Sequence, residues 1–176
     1  MIEPALCSKL FRRDLFQALS DGKTIMDLSL KENEDLLMNY CLFRAAHRSV
    51  FEDVCPYQYQ VRMTSVSHGG LKPHILSDPI RIGQLLIEDT KDDPQLQLLA
   101  ARYYVTKLIK AATLPQRQTS AALLDIRKKS RLLLKDYIKE YLHFSESGKR
   151  KALALWAACS PATYGLAHRF YLRSSK

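Results

Sequence analysis

The stretch 119–144, TSAALLDIRKKSRLLLKDYIKEYLHF, decides the fold class. Leu123, Leu124, Ile126, Leu133, Leu134, Tyr137, Ile138, Tyr141 and Leu142 recur every three or four residues, the period that gathers side chains on one side of an α-helix. Neither Gly nor Pro interrupts the run. Thr119 or Ser120 stands where a side-chain oxygen would cap the first turn. Asp125 with Lys129, and Asp136 with Lys139, place opposite charges about one turn apart. The spacing predicts the longest helix of the chain, running to about Phe144.

Working outward, the same logic predicts helix after helix. Pro4 suits a first turn, followed by Leu6, Leu10, Leu15 and Leu19, with Asp21-Gly22 as the stop. Ser29 and Glu32 have capping-box spacing ahead of Leu36, Leu37, Tyr40, Cys41 and Phe43, in a helix expected to reach Phe51 and to end before Pro56. Asp78-Pro79 and Asp93-Pro94 each read as an N-cap followed by proline at the first helical position. The first of these leads Ile80 to Asp89, after a loop marked by Gly69-Gly70 and Pro73. The second leads Leu96 to Ile109, closed by Pro115. Ser147-Gly148 breaks the long helix. A last helix, Lys149 to Cys159, is expected to end at Pro161 and leave a frayed basic tail. Only Tyr57 to Met63 alternates like a strand, and with no second strand to satisfy its backbone it is expected to be a short helix or an extended linker. The expected fold class is all-α, a compact helical bundle.

Composition agrees. An apolar share of 47% and a charged share of 26% describe a folded globular chain. Only 6 glycines among 176 residues favour helix. The net charge of +9 points to an acidic partner such as nucleic acid, anionic lipid or an acidic protein face, although charge spread along a chain also serves solubility alone. Met1 to Arg13 lacks the apolar core of a leader, and no run of about 18 apolar residues could span a bilayer. Cys7, Cys41, Cys55 and Cys159 show no paired spacing, so reduced, mostly buried thiols in the cytoplasm, or in the nucleus, are expected.

No catalytic, cofactor or metal site is expected. His47, His68, His74, His143 and His168 are scattered without a local nucleophile signature. Glu88, Asp89, Asp92 and Asp93 lack the alternating oxygens and central glycine of a calcium loop, so helix capping by Asp93 explains them. The nucleic-acid candidates are Arg127, Lys128, Arg131, Lys135, Lys149, Arg150 and Lys151, which could neutralise phosphates. Tyr137 or Trp156 could stack on bases, but both fall among apolar neighbours and read more simply as core.

Leu15 to Val54 resembles the latter part of a death effector domain. The residues that carry it are Leu15-Phe16-Gln17-Ala18-Leu19, Asp21-Gly22-Lys23, Leu36-Leu37, Cys41-Leu42-Phe43-Arg44 and His47-Arg48. Ile82 to Ser145 is similar to most of a second copy, with Leu85-Leu86-Ile87-Glu88-Asp89 as its second helix, Leu123 to Ser130 as its fifth and Arg131 to Lys135 as its sixth. The family's arginine-x-aspartate-leucine signature is replaced by Arg48-Ser49-Val50-Phe51 and by Arg131-Leu132-Leu133-Leu134. The resemblance implies two tandem death-fold bundles, the first incomplete: 1–54, then 55–146, then a basic helix and tail at 147–176. It implies a non-enzymatic adaptor or decoy that docks a death-fold adaptor, a procaspase or a second copy of itself, with Leu85 and Leu86 on one face and Arg44 and Arg48 on another. The alternative is a basic helical protein that binds nucleic acid or another acidic surface.

Overall fold

A computed structural model describes residues 6, 9–20, 27, 29–51, 70–115, 120–144 and 147–174. Among them are seven helices and no strand. The chain divides into two compact units, Met1–Leu71 and Lys72–Lys176. Tyr57–Met63, Asp21-Gly22, Cys7, Cys55, His68 and the expected boundary at 54/55 lie outside the described residues.

The first unit contains α1 (Arg13–Ser20) and α2 (Glu34–Ala45), which pack together. Leu37 and Leu42 are fully buried, and Phe43 meets Phe11 edge to face at 5.7 Å. α2 is shorter than its pattern predicts. Ser29 does not cap it: its hydroxyl and its backbone N–H both donate to Asp27 Oδ1, at 2.6 and 3.0 Å. The helix starts instead after Asn33, held at φ 61°, a left-handed conformation that asparagine tolerates better than most residues. Glu34 and Asp35 at its start and Arg44 in its last turn suit the helix dipole. It stops at Ala45 rather than Phe51. Ala46 is extended, and Val50 and Phe51, each 88% exposed, find no core that would reward another turn.

In the second unit α3 (His74–Asp89), α4 (Pro94–Ala112), α5 (Ala121–Phe144), α6 (Gly148–Cys159) and α7 (Pro161–Ser174) follow in order. α4 packs against α3, α5 and α6. Its buried face, Ala101, Tyr104, Val105, Leu108, Ala111 and Ala112, joins Leu76 and Ile80 of α3, Leu123, Leu134, Ile138 and Tyr141 of α5, and Ala154, Ala157 and Ala158 of α6. Each fully buried leucine in such a core contributes about 1.5–3 kcal/mol. Asp93 caps α4 as its spacing predicts, its carboxylate accepting from the backbone N–H of Gln95 and of Leu96, both at 3.0 Å.

Two expectations about prolines are corrected. Asp78-Pro79 does not open α3. Pro79 lies inside the helix, which begins at His74 because Leu76 is drawn into the core and the N–H groups of Leu76 and Ser77 both bond to the Pro73 carbonyl at 3.0 Å. The ring removes one bond, to the Ile75 carbonyl, where the helix has barely started. Pro161 likewise does not end the chain's order. It occupies the first position of α7, where its missing N–H costs nothing, and the Tyr164 N–H bonds back to Ser160 O at 3.1 Å. α6 packs on α4 and α5, and α7 on α6, so 147–174 is part of the second unit and not a separate tail.

α3 lies tight against α4 at Gly83. A Cβ there would lie 2.7 Å from the buried Tyr104 ring and 3.1 Å from Tyr104 Cα. Alanine's helix preference, about 1 kcal/mol over glycine, should lose to this overlap. Gly83→Ala is expected to lower stability by about 1–3 kcal/mol, read as a lower thermal midpoint by circular dichroism; a midpoint that rises would refute the close approach.

Candidate interaction surface

The residues suggested by resemblance do not share one environment. Leu86 is only 7% exposed. Its carbonyl accepts both the N–H and the hydroxyl of Thr90, at 3.1 and 2.7 Å, and the same hydroxyl reaches Gln97 Oε1 at 2.8 Å, tying the end of α3 to α4. Leu85 is half-buried. Arg44 and Arg48 are exposed and belong to the first unit, whereas Leu85 and Leu86 belong to the second. Leu123–Ser130 and Arg131–Lys135, assigned to two helices by resemblance, lie in the single uninterrupted α5.

The basic residues divide by helix face. Arg131 turns inward. Its Nε donates to the Ala112 carbonyl at the C-terminus of α4 at 3.0 Å, and burial, followed by repulsion from Arg127, lowers its pKa. Arg127 is half-buried beside it. A cation suits the negative end of a helix, so Arg131 supports the α4–α5 junction, whereas the Arg127 Nε is buried without a hydrogen-bond partner. Lys128, Leu132, Lys135 and Lys139 fall at helical spacing on the solvent-facing side of α5, and all four are exposed. Lys139 was read from the sequence only as a partner for Asp136; its place on this stripe would have been the signal. Lys129 is exposed and paired with Asp125 at 2.9 Å.

Lys149, Arg150 and Lys151 lie in the first turn of α6, the first two exposed and the third half-buried. Ser147 caps this turn, its hydroxyl accepting from the Arg150 N–H at 3.5 Å. Three cations at the positive end of a helix are unfavourable to that helix. Trp156 is 42% exposed rather than core, its ring edge-on to Tyr164 at 5.6 Å and its Nε1–H donating to Thr163 Oγ1 at 2.9 Å. Tyr164 stacks on His168 at 6.0 Å. Leu153, Leu155, Leu166, Phe170 and Tyr171 are exposed on the same two helices. Leu166, Phe170 and Tyr171 escaped the sequence reasoning because Pro161 was read as a terminator. The signal lay in the chain: 147–176 holds six Lys or Arg (Lys149, Arg150, Lys151, Arg169, Arg173, Lys176) and no Asp or Glu, so the charge is concentrated and not merely spread.

Tyr137, the other stacking candidate, packs edge-on against Tyr104 at 5.2 Å with its hydroxyl buried, which removes it from a base-stacking role. Burial, with lesser contributions from Glu140 and Tyr104, raises its pKa far above the ordinary phenol value. The neighbouring Tyr104 hydroxyl accepts from Gln84 Nε2 at 3.3 Å. Cys41 is buried and Cys159 exposed. Among the described residues no three His, Cys, Asp or Glu gather to hold a metal ion, and no helix is long and apolar enough to cross a membrane. Glu88 pairs with Lys91, and Asp93 is the cap of α4. Comparison with protein-family models, with curated proteins and with solved structures returned no match.

Leu86 is therefore expected to behave as a core residue. Leu86→Ala should cost about 2–5 kcal/mol and Leu85→Ala clearly less, measured by denaturant unfolding. Equal and negligible losses would place both leucines on the surface.

Proposed function

We propose that this protein works without catalysis, by binding an acidic macromolecular surface through the outward cations of its second unit. The observation that carries this reading is the acid-free stretch 147–176, with Lys149 and Arg150 exposed at a helix end where the dipole disfavours them. A stability cost kept at an exposed site is what a binding role would explain. The lysines on the outer face of α5 extend the same charge. Salt dependence follows, because each phosphate or carboxylate neutralised releases counterions.

The test is binding to two polyanions, heparin and a labelled mixed-sequence oligonucleotide, by fluorescence anisotropy. Affinity should fall steeply with added salt. Lys149→Glu with Arg150→Glu should weaken binding roughly ten-fold while leaving the thermal midpoint unchanged or slightly higher, since acidic side chains suit a helix start. No binding to either probe at low salt would defeat the reading.

A second reading, like-with-like docking of a death-fold adaptor, a procaspase or another copy of the chain, is supported by exposed Arg44 and Arg48 followed by Val50 and Phe51 in the first unit. It places the decoy or adaptor role on that unit. Arg44→Glu with Arg48→Glu should then abolish capture of a death effector domain while lowering the melting midpoint only slightly, because an acid at 44 opposes the α2 dipole; unchanged capture would rule this out.

A further inference from the structure

α6 is packed inside out. Its buried positions are the small residues Ala154, Ala157 and Ala158, while Leu153, Leu155 and Trp156 face solvent. Ala152, Leu155, Trp156 and Cys159 are all exposed, at the spacing of one helix face. α7, packed on α6, repeats the pattern. Among its described residues the buried one is Gly165, set so close to Thr113 that a Cβ would meet Thr113 Cβ at 3.1 Å, and its exposed face carries Ala162, Leu166 and Phe170 at four-residue intervals with Tyr171 also exposed; Arg169 donates its Nε to the Gly165 carbonyl at 2.9 Å. Phe170 is 70% exposed and Leu166 52%. Large apolar side chains on adjoining helices, set among cations and free of acids, have the composition of an interfacial amphipathic surface. Trp156 and Tyr171 add the amphipathic rings that favour the headgroup level.

We infer that α6 and α7 form a peripheral docking face for an anionic lipid bilayer, with Leu166, Phe170 and Trp156 entering the headgroup and acyl boundary and Lys149 and Arg150 meeting acidic headgroups. This rests on the acidic-surface reading and names its partner. Charge complementarity selects the occupant. A second copy would bring the same uncompensated cations face to face, and like charges oppose that contact. Nucleic acid would satisfy the cations but leave Leu153, Leu155 and Leu166 without a role, because phosphates and base edges are read by polar groups. A bilayer with acidic headgroups satisfies both sets, and its surface potential draws basic segments toward it.

Trp156, the single tryptophan of the chain, is a native reporter inside the proposed face. The full chain is mixed with vesicles of phosphatidylcholine alone or of phosphatidylcholine with phosphatidylserine. Phosphatidylserine vesicles should shift Trp156 emission to the blue, brominated acyl chains should quench it, and salt should reverse both. Leu166→Ser with Phe170→Ser, at exposed positions, should leave the circular-dichroism spectrum unchanged and weaken vesicle binding by roughly ten-fold or more. Brominated-lipid quenching of the wild-type chain decides the matter even if that variant misfolds. Retained binding to heparin or oligonucleotide without any vesicle binding overturns the inference and leaves the acidic-surface reading standing; loss of all three overturns both. Vesicle binding without a change at Trp156 places the lipid contact elsewhere and also overturns it. A blue shift produced by oligonucleotide alone assigns the face to nucleic acid, and one that grows with protein concentration without lipid, with a dimer in sedimentation, assigns it to a second copy.

Discussion

Close approach to α4 is the constraint on which the second unit depends. Tyr104 admits α3 only because position 83 has no side chain, and the α6 contact is built from alanines. Helices that come this near bury their smallest residues, and whatever is large on those helices is left facing away. The exposed leucines and tryptophan of α6 are thus a consequence of how its inner face packs. The same reasoning covers α7, where Gly165 meets Thr113 just past the end of α4 and turns Leu166 and Phe170 to solvent.

Electrostatics follows from that packing. The end of α4 presents carbonyls that need donors, and Arg131 supplies one to Ala112. An arginine used in this way is partly desolvated and lies beside a second cation, Arg127, so it serves the fold before any ligand. Lys128, Lys135 and Lys139, one face around the same helix, have no such task in the core and keep their charge in water. A single basic run thereby divides into an arginine that holds the junction and lysines that face solvent.

Much of the fold was legible in local spacing. The long helix ending at Phe144, the Asp93-Pro94 start and the break at Ser147-Gly148 rest on periodicity and capping, which act within a few residues. The failures share a cause. Ser29-Glu32, Asp78-Pro79 and Pro161 each carry a local signal that burial outweighs or extends: Asp27 takes the serine hydroxyl, Leu76 draws the helix start back to His74, and Pro161 closes α6 as expected but also opens α7. Leu86 and Leu85 are adjacent in sequence and equal in chemistry, so no pattern of types could say which faces the core.

Periodicity, the scarcity of glycine and the positive charge settle on their own that the chain is helical and basic, because helix formation and net charge are properties of neighbouring residues and of a sum. Which face of each helix is hidden depends on neighbours distant along the chain. Packing against α4 is what turns the alanines of α6 inward and Trp156 outward, sends Arg131 to a helix end, and enrols the last segment as a seventh helix. The reason is geometric: several faces of these helices are apolar, and only the distance of closest approach selects the one that is buried.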